Sequence, residues 1–399
     1  MISGYFCNFE ENLHILNHMK RQLIASLLLC CVLGALACTS AIVSGRLTAN
    51  GRPLLWKNRD TDDQNNKVER IAASRGCYEY VALFNATDTA NANAWMGFNK
   101  QGFAIMNTAS YNVNSDTVKH MDQEGRLMAL ALKKCATVAD FQRLLDSLPR
   151  PLHVEANFGV IDAQGHGAYF ETGNFKYVKY DLADEPSGIL TRTNYSYSGR
   201  PDKGMGYIRE QNEKHLLARH IAKADITPAV FTEELSRTFY HSLLGEDFTG
   251  SGRDYVVDQD FIPRRISTAT VVIEGVLPGE DPILTTMWTG LGYSPCSEIR
   301  PVWLWPGGLA DELRGIAPRG HSPLADKAQA RKRQVFDVTR GNGKHYVRLS
   351  RLYNREGTGF CQTLIPLNMA AYAAGYAQIE QHRAALAKQG KAGKRRAKR

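Results

Sequence analysis

The reading of this chain turns on residues 35–60, Ala35-Leu36-Ala37-Cys38-Thr39-Ser40 followed by AIVSGRLTANGRPLLWKNRD over 41–60. Two short apolar runs, at 39–45 and 53–57, are bridged by Ala49-Asn50-Gly51. Asn-Gly between such runs is a strong hairpin signal, because both central positions of a tight turn need positive φ. The spacing therefore predicts that Cys38 opens a strand. Its hairpin partner ends in the charged cluster Lys57-Asn58-Arg59-Asp60, brought back beside the start of the first strand.

What precedes Cys38 gives it chemical meaning. Lys20 and Arg21 lead into an apolar run at 23–33, and the run ends at Ala35-Leu36-Ala37. A charged start, a short apolar stretch and an A-x-A site describe a secretory signal peptide. Eleven or so apolar residues are about half what a bilayer span needs. Residues 1–37 are thus expected to be a leader with translation starting at Met19, and the protein to be exported, periplasmic or secreted. Cleavage after Ala37 would make Cys38 the first residue. Its α-amine, with an ordinary pKa of about 7.7–8.0, could then take the thiol's proton directly or through water. Nucleophile and base would be one residue. A lipidated Cys38 anchoring a binding protein is the rival of another class; Ala35, where lipoproteins prefer Leu, favours plain cleavage.

Composition narrows the rest. The 399 residues are 43% hydrophobic and 22% charged, ordinary for a globular chain with a large core. The net charge of +9 resembles a nucleic-acid signature, but residues 388–399 hold seven positive charges and no negative ones, leaving +2 elsewhere. That stretch has no interleaved aromatics and reads as a basic, disordered tail, so no nucleic-acid partner is expected. Nor is stable membrane insertion once the signal is removed. Beyond the leader the cysteines are Cys38, Cys77, Cys135, Cys296 and Cys361, an odd number with no C-x-x-C spacing. Zinc is not expected, and the last four read either as buried thiols or as disulfides. There is no H-E-x-x-H. Gly341-Asn342-Gly343-Lys344 continues with His345 where a phosphate loop needs Ser or Thr, and Gly204-Met205-Gly206 lacks a third glycine. No metal and no cofactor are implied.

Further strands are expected at 94–96, 102–107, 157–162, 168–171, 177–181, 268–274, 283–288 and 347–353. Helices are expected at 125–148, 207–224, 228–244 and from 367 onward. Strands in hairpin-like clusters and helices in blocks argue for an α+β fold with antiparallel sheets. His215 and His220 lie five apart on a helix and read as surface. Trp95, Trp288, Trp303 and Trp305 read as core or pocket wall.

Cys38-Thr39-Ser40 followed by Asn58-Arg59-Asp60 resembles the opening of N-terminal nucleophile (Ntn) hydrolases of the choloylglycine hydrolase and isopenicillin-N acyltransferase group. The resemblance continues in order. Gly97-Phe98-Asn99-Lys100-Gln101-Gly102 leads to Ile105-Met106-Asn107, Thr193-Asn194 follows an apolar strand, and Arg264-Arg265 precedes Ile266-Ser267-Thr268-Ala269-Thr270. Lys57 stands where the bile-salt branch has Arg, so the chain looks nearer the acyltransferase-like branch, which includes carcinine hydrolase. The resemblance implies a four-layer αββα sandwich formed by residues 38–387. It also implies Cys38 as nucleophile, Asp60 orienting its amine, and Asn194 with Asn107 donating to the oxyanion. Arg265, ahead of Arg264, would be the cation near the thiolate. The expected substrate is a small N-acyl amide cleaved through a thioester, by hydrolysis or by acyl transfer. Acyl group, amine, substrate-binding residues and oligomeric state are left open.

Overall fold

The computed structural model describes residues 38–397, and the side chains up to Lys388. The expected leader and the end of the basic stretch lie outside the described residues. In chain order the strands are β1 (Thr39–Val43), β2 (Leu54–Asp60), β3 (Asn66–Ile71), β4 (Tyr80–Asn85), β5 (Met96–Asn99), β6 (Ala104–Ala109), β7 (Ala156–Ile161), β8 (Gly167–Thr172), β9 (Tyr177–Asp181) and β10 (Ile189–Arg192). After them come the short β11 (Tyr240–His241), β12 (Glu246–Asp247) and β13 (Tyr255–Val257), then β14 (Ser267–Glu274), β15 (Thr286–Leu291), β16 (Ile299–Val302) and β17 (Tyr346–Arg348). The helices are α1 (Glu124–Lys134), α2 (Val138–Ser147), α3 (Tyr207–Lys223), α4 (Pro323–Val335) and α5 (Phe360–Ala397).

Two large antiparallel sheets face each other. One runs β10-β1-β2-β14-β15-β16, and the other is a meander from β3 to β9. Between them Ile42, Leu55, Val271 and Ile273 of the first sheet meet Val81, Leu83, Met96, Met106 and Tyr169 of the second. The outer face of the second sheet buries Phe84, Ile105, Phe158 and Phe170 under Leu127 and Met128 of α1 and Phe141 and Leu145 of α2. The outer face of the first buries Val43, Trp56, Val272 and Trp288 under Leu217 of α3 and Tyr372 and Ile379 of α5. The layers are therefore α, β, β, α, in agreement with the α+β sandwich expected.

Several elements differ from the sequence reading, each for a local reason. β4 carries apolar residues on both faces because both faces are covered, so no alternation marks it. The helix expected over 125–148 is two helices, because the Thr137 hydroxyl and the Asp140 carboxylate form a reciprocal cap that starts α2 afresh. No α-helix spans 228–244. One wide turn at Val230–Glu234 gives way to a tight one at Leu235–Arg237. There Ser236 bonds Thr270, and buried Arg237 bonds the Pro295 and Ser297 carbonyls. These tertiary bonds outweigh helical propensity. α5 continues to Ala397 and so takes in most of the basic stretch read as disordered. The five cysteines of the described residues are free thiols, and burial pushes the Cys135 thiol up to about 12.

Candidate active site

The hairpin β1–β2 places the nucleophile candidate. Thr39 lies opposite Asn58 and Ser40 opposite Lys57, so the chain at Cys38 runs alongside the last residues of β2. The thiol is buried and donates to the Asp60 backbone oxygen at 3.8 Å. Because side chains alternate along β2, Lys57 and Arg59 share the face of Leu55, which packs between the sheets. Asn58 and Asp60 share the opposite face with Trp56.

Asp60 is fully enclosed and well partnered. One carboxylate oxygen accepts from the Ser267 hydroxyl at 2.6 Å and the Asn58 amide at 3.2 Å. The other accepts from Arg264 at 2.7 and 3.2 Å. Ser267 lies directly across the ladder from Asp60, at the start of β14. Burial opposes the Arg264 charge, but the Asp60 carboxylate wins and holds the guanidinium above its ordinary pKa. Arg265, ranked first from sequence, does not join this cluster. Its side chain is exposed, and its backbone N–H donates to Asp258 at 2.7 Å. The two arginines sit in one tight turn, closed by the Ser267 N–H donating to the Arg264 carbonyl at 2.8 Å, and of the two only Arg264 reaches Asp60.

The two asparagines are held in matching ways. Asn107, on β6, accepts through Oδ1 from Lys57 Nζ at 2.9 Å. Asn194 follows β10, whose pairing of Arg192 with Ser40 brings it to the Cys38 end of β1. Its Oδ1 accepts from Arg209 at 2.8 Å, and its Nδ2 donates to the Ala109 carbonyl at 2.8 Å. Each carbonyl oxygen is thus held by a cation, which fixes the amide so that its NH2 is the remaining polar end.

Three cations surround Cys38 with neutral hydrogen-bond partners. Lys57 (2% exposed) bonds Asn107 and the Trp95 carbonyl, and Arg59 (3%) bonds Asn66 and Asn85 and lies 5.0 Å from the centre of the Trp95 ring. Arg209 (1%) bonds the Cys38 carbonyl, Thr39 and Asn194. Burial pushes Lys57 down to about 8, assisted by the neighbouring Arg59 charge and opposed by Asp60. It pushes Arg59 and Arg209 to about 10. Buried cations without carboxylate partners stabilise an anion placed among them. A thiolate is such an anion. A developing oxyanion is another.

Sequence reading placed Cys38, Asp60, Asn107 and Asn194 together, and the structure does so too. The sequence marks Lys57 only as a departure from a pattern and does not single out Arg59 or Arg209. Arg209 left one signal. It opens the inward face of a helix that buries Arg209, Glu210, Asn212 and Glu213 before its first apolar contact at Leu217. Among the described residues no group of three or more His, Cys, Asp or Glu is arranged to hold a metal, and no helix is long and apolar enough to cross a membrane. A cavity of about 660 Å³ is lined by Arg52, Glu274, Glu280, Tyr376 and Arg383, among others, and contains none of the residues around Cys38.

The chain matches no family model and no curated protein sequence. Among solved structures it is similar to a mutant form of conjugated bile acid hydrolase from Clostridium perfringens, at 10% identity and a TM-score of 0.40, over 67% of this chain and 92% of that one. It is also similar to penicillin V acylase from Agrobacterium tumefaciens, at 12% identity and 0.38, over 67% and 86%. A third is the Caenorhabditis elegans ortholog of N-acylethanolamine-hydrolyzing acid amidase, at 13% and 0.36, over 60% and 94%.

Proposed function

We propose that this chain is an exported cysteine amidohydrolase that cleaves the linear amide of a small N-acyl compound, with Cys38 as an N-terminal nucleophile. The observation that carries the reading is the placement of one buried thiol among Lys57, Arg59 and Arg209, beside the Asp60–Arg264 pair and two asparagines held by their oxygens. Removal of residues 1–37 frees the Cys38 α-amine. The amine takes the thiol proton, and the sulfur attacks the substrate carbonyl. The Asn194 amide, with Asn107, donates to the oxyanion; removing one such donor typically costs about 10²–10³ in rate. The C–N bond then breaks, the α-ammonium passes its proton to the leaving nitrogen, and an acyl thioester remains on Cys38. Water, deprotonated by the same amine, releases the acid and restores the thiol. An acceptor amine in place of water would make the same thioester an acyl donor. Lys57, in place of the Arg of the bile-salt branch, sets the chain nearer that acyltransferase-like branch.

The test is a screen of N-acyl amides with Cys38→Ser as the blank, joined to intact mass spectrometry of the processed protein. The account expects a first residue of Cys38, amide cleavage that depends on its sulfur, and a mass increment equal to the acyl group during turnover. A lipid mass on Cys38, or cleavage at wild-type rate by the blank, would overturn it.

A further inference from the structure

Arg209 makes a set of contacts that the proposed reaction does not call for by name. Its guanidinium reaches from α3 to the nucleophile's own backbone. It donates to the Cys38 carbonyl at 2.6 Å, the Thr39 hydroxyl at 2.9 Å and Asn194 Oδ1 at 2.8 Å. One rigid planar group therefore spans Cys38, the first residue of β1 and the amide expected to donate to the oxyanion. The fork also needs room. At Gly206, with φ +93°, a Cβ would lie 2.3 Å from the Arg209 guanidinium and 2.8 Å from the Thr193 hydroxyl oxygen. The chain before α3 is thus shaped around this side chain. One turn further on, Glu213 is fully buried with neither carboxyl oxygen hydrogen-bonded, and no ion pair to it offsets the Arg209 charge among the described residues.

The consequence for Asn194 follows from hydrogen-bond counting. An asparagine amide has one acceptor oxygen and two N–H donors. With Oδ1 taken by a cation, the group cannot flip without facing N–H toward guanidinium. One N–H goes to the Ala109 carbonyl, and the second remains for a ligand. Accepting from a cation also polarises the amide and strengthens that second N–H.

Resting on the amide-cleavage reading, we infer that Arg209 is a positioning residue. It acts through Asn194 and the Cys38 backbone to fix the distance between nucleophile and oxyanion donor. A misplacement of about 1 Å in such a pair costs on the order of 10² in rate. A staple that merely joined α3 to β1 would change stability without touching the chemical step.

The experiment is a double-mutant cycle on an amide substrate, comparing Arg209→Lys, Asn194→Ala and the two combined, with Cys38→Ser as the blank. Arg209→Lys keeps the charge and loses the fork. Its kcat is expected to fall about 10²-fold at nearly unchanged KM, and the combined variant should be no more than a few-fold worse than Asn194→Ala alone. Wild-type kcat in Arg209→Lys, or losses that simply multiply, would overturn the inference while leaving a Cys38-dependent amidase in place. Cleavage at wild-type rate by the Cys38→Ser blank would instead remove the cysteine-nucleophile reading and this one with it. Should Arg209→Lys not fold, Thr39→Val decides. It deletes one acceptor of the fork, and a kcat loss at constant KM supports the role whereas an unchanged kcat refutes it.

Discussion

Strands β2 and β14 run side by side, and each end of the pair carries buried charge. At one end Asp60 lies opposite Ser267, and at the other Leu54 lies opposite Glu274, roughly 20 Å away at about 3.3 Å per residue. The Glu274 end has the cavity of about 660 Å³, the feature that usually marks a binding site. Its charges are nevertheless matched. Arg52 and Arg383 both pair with Glu280, and the Glu274 carboxylate accepts from Asn50, Trp288 and Tyr376. Those bonds tie α5 to the sheet. The Asp60 end holds the proposed nucleophile and three buried cations whose hydrogen-bond partners among the described residues are neutral. Volume marks one end and unbalanced charge the other, and unbalanced charge is what amide cleavage by a thiolate requires.

The largest effect expected from this contrast is at Cys38. Cys38→Ala should abolish amide cleavage with the melting temperature nearly unchanged, because a buried thiol and a methyl pack alike. Turnover near the wild-type rate would place the nucleophile elsewhere, and a steady-state assay beside a thermal melt checks both. Asp60→Asn comes next. It keeps shape while removing the charge that faces Arg264, so kcat should fall far more than KM rises, and stability should drop as a buried pair is broken. Equal kcat in the variant would reduce this end to a structural cluster.

A pH profile sharpens the comparison further. Lys57 faces Cys38, Arg59 and Asp60 among charged groups, with Asn107 and the Trp95 carbonyl as its neutral partners. Its charge, held down to about 8 chiefly by burial, is lost as pH rises through that value. kcat/KM should therefore descend near pH 8, and Lys57→Arg should move that limb upward, since an arginine stays charged. The sign for stability is opposite. The folded chain favours the neutral amine, so this residue adds stability between pH about 8 and the ordinary 10.5. The smallest effect on activity belongs to Glu274→Gln. It should leave kcat unchanged and lower stability by about 1–3 kcal/mol, because an N–H now meets a donor. Burial raises the Glu274 pKa against its Trp288 and Asn50 hydrogen bonds. The wild-type chain should lose stability as pH rises from the ordinary carboxylate range to that raised value, and the variant should lose less. A change in kcat would break the distinction between the two ends.

Much of the site lay in the sequence because its parts are local or ordered. Asn50-Gly51 marks the reversal between β1 and β2, although the connection itself spans residues 44–53. The strand pairing sets Cys38 against β2, and Asn107 lies on β6 while Asn194 follows β10. What stayed hidden depends on distant partners. Arg264 and Arg265 are alike in sequence, and only the direction of one loop separates them. Arg209 comes from a helix 171 residues after Cys38, and no spacing rule links the two. β3 and β4 were missed for opposite reasons, β3 because Lys67, Glu69 and Arg70 interrupt its pattern, β4 because burial on both faces erases it. The break within 228–244 follows from bonds to Thr270, Pro295 and Ser297 that no local propensity encodes.

The most direct test of the central claim compares two forms of the processed protein, one beginning at Cys38 and one carrying a single extra Gly before it. The extra residue turns the α-amine into an amide that can neither take the thiol proton nor return it, while Lys57, Asp60 and both asparagines stay in place. The account predicts amide cleavage by the first form and none by the second, with equal melting temperatures. Full kcat in the Gly-extended form would contradict it.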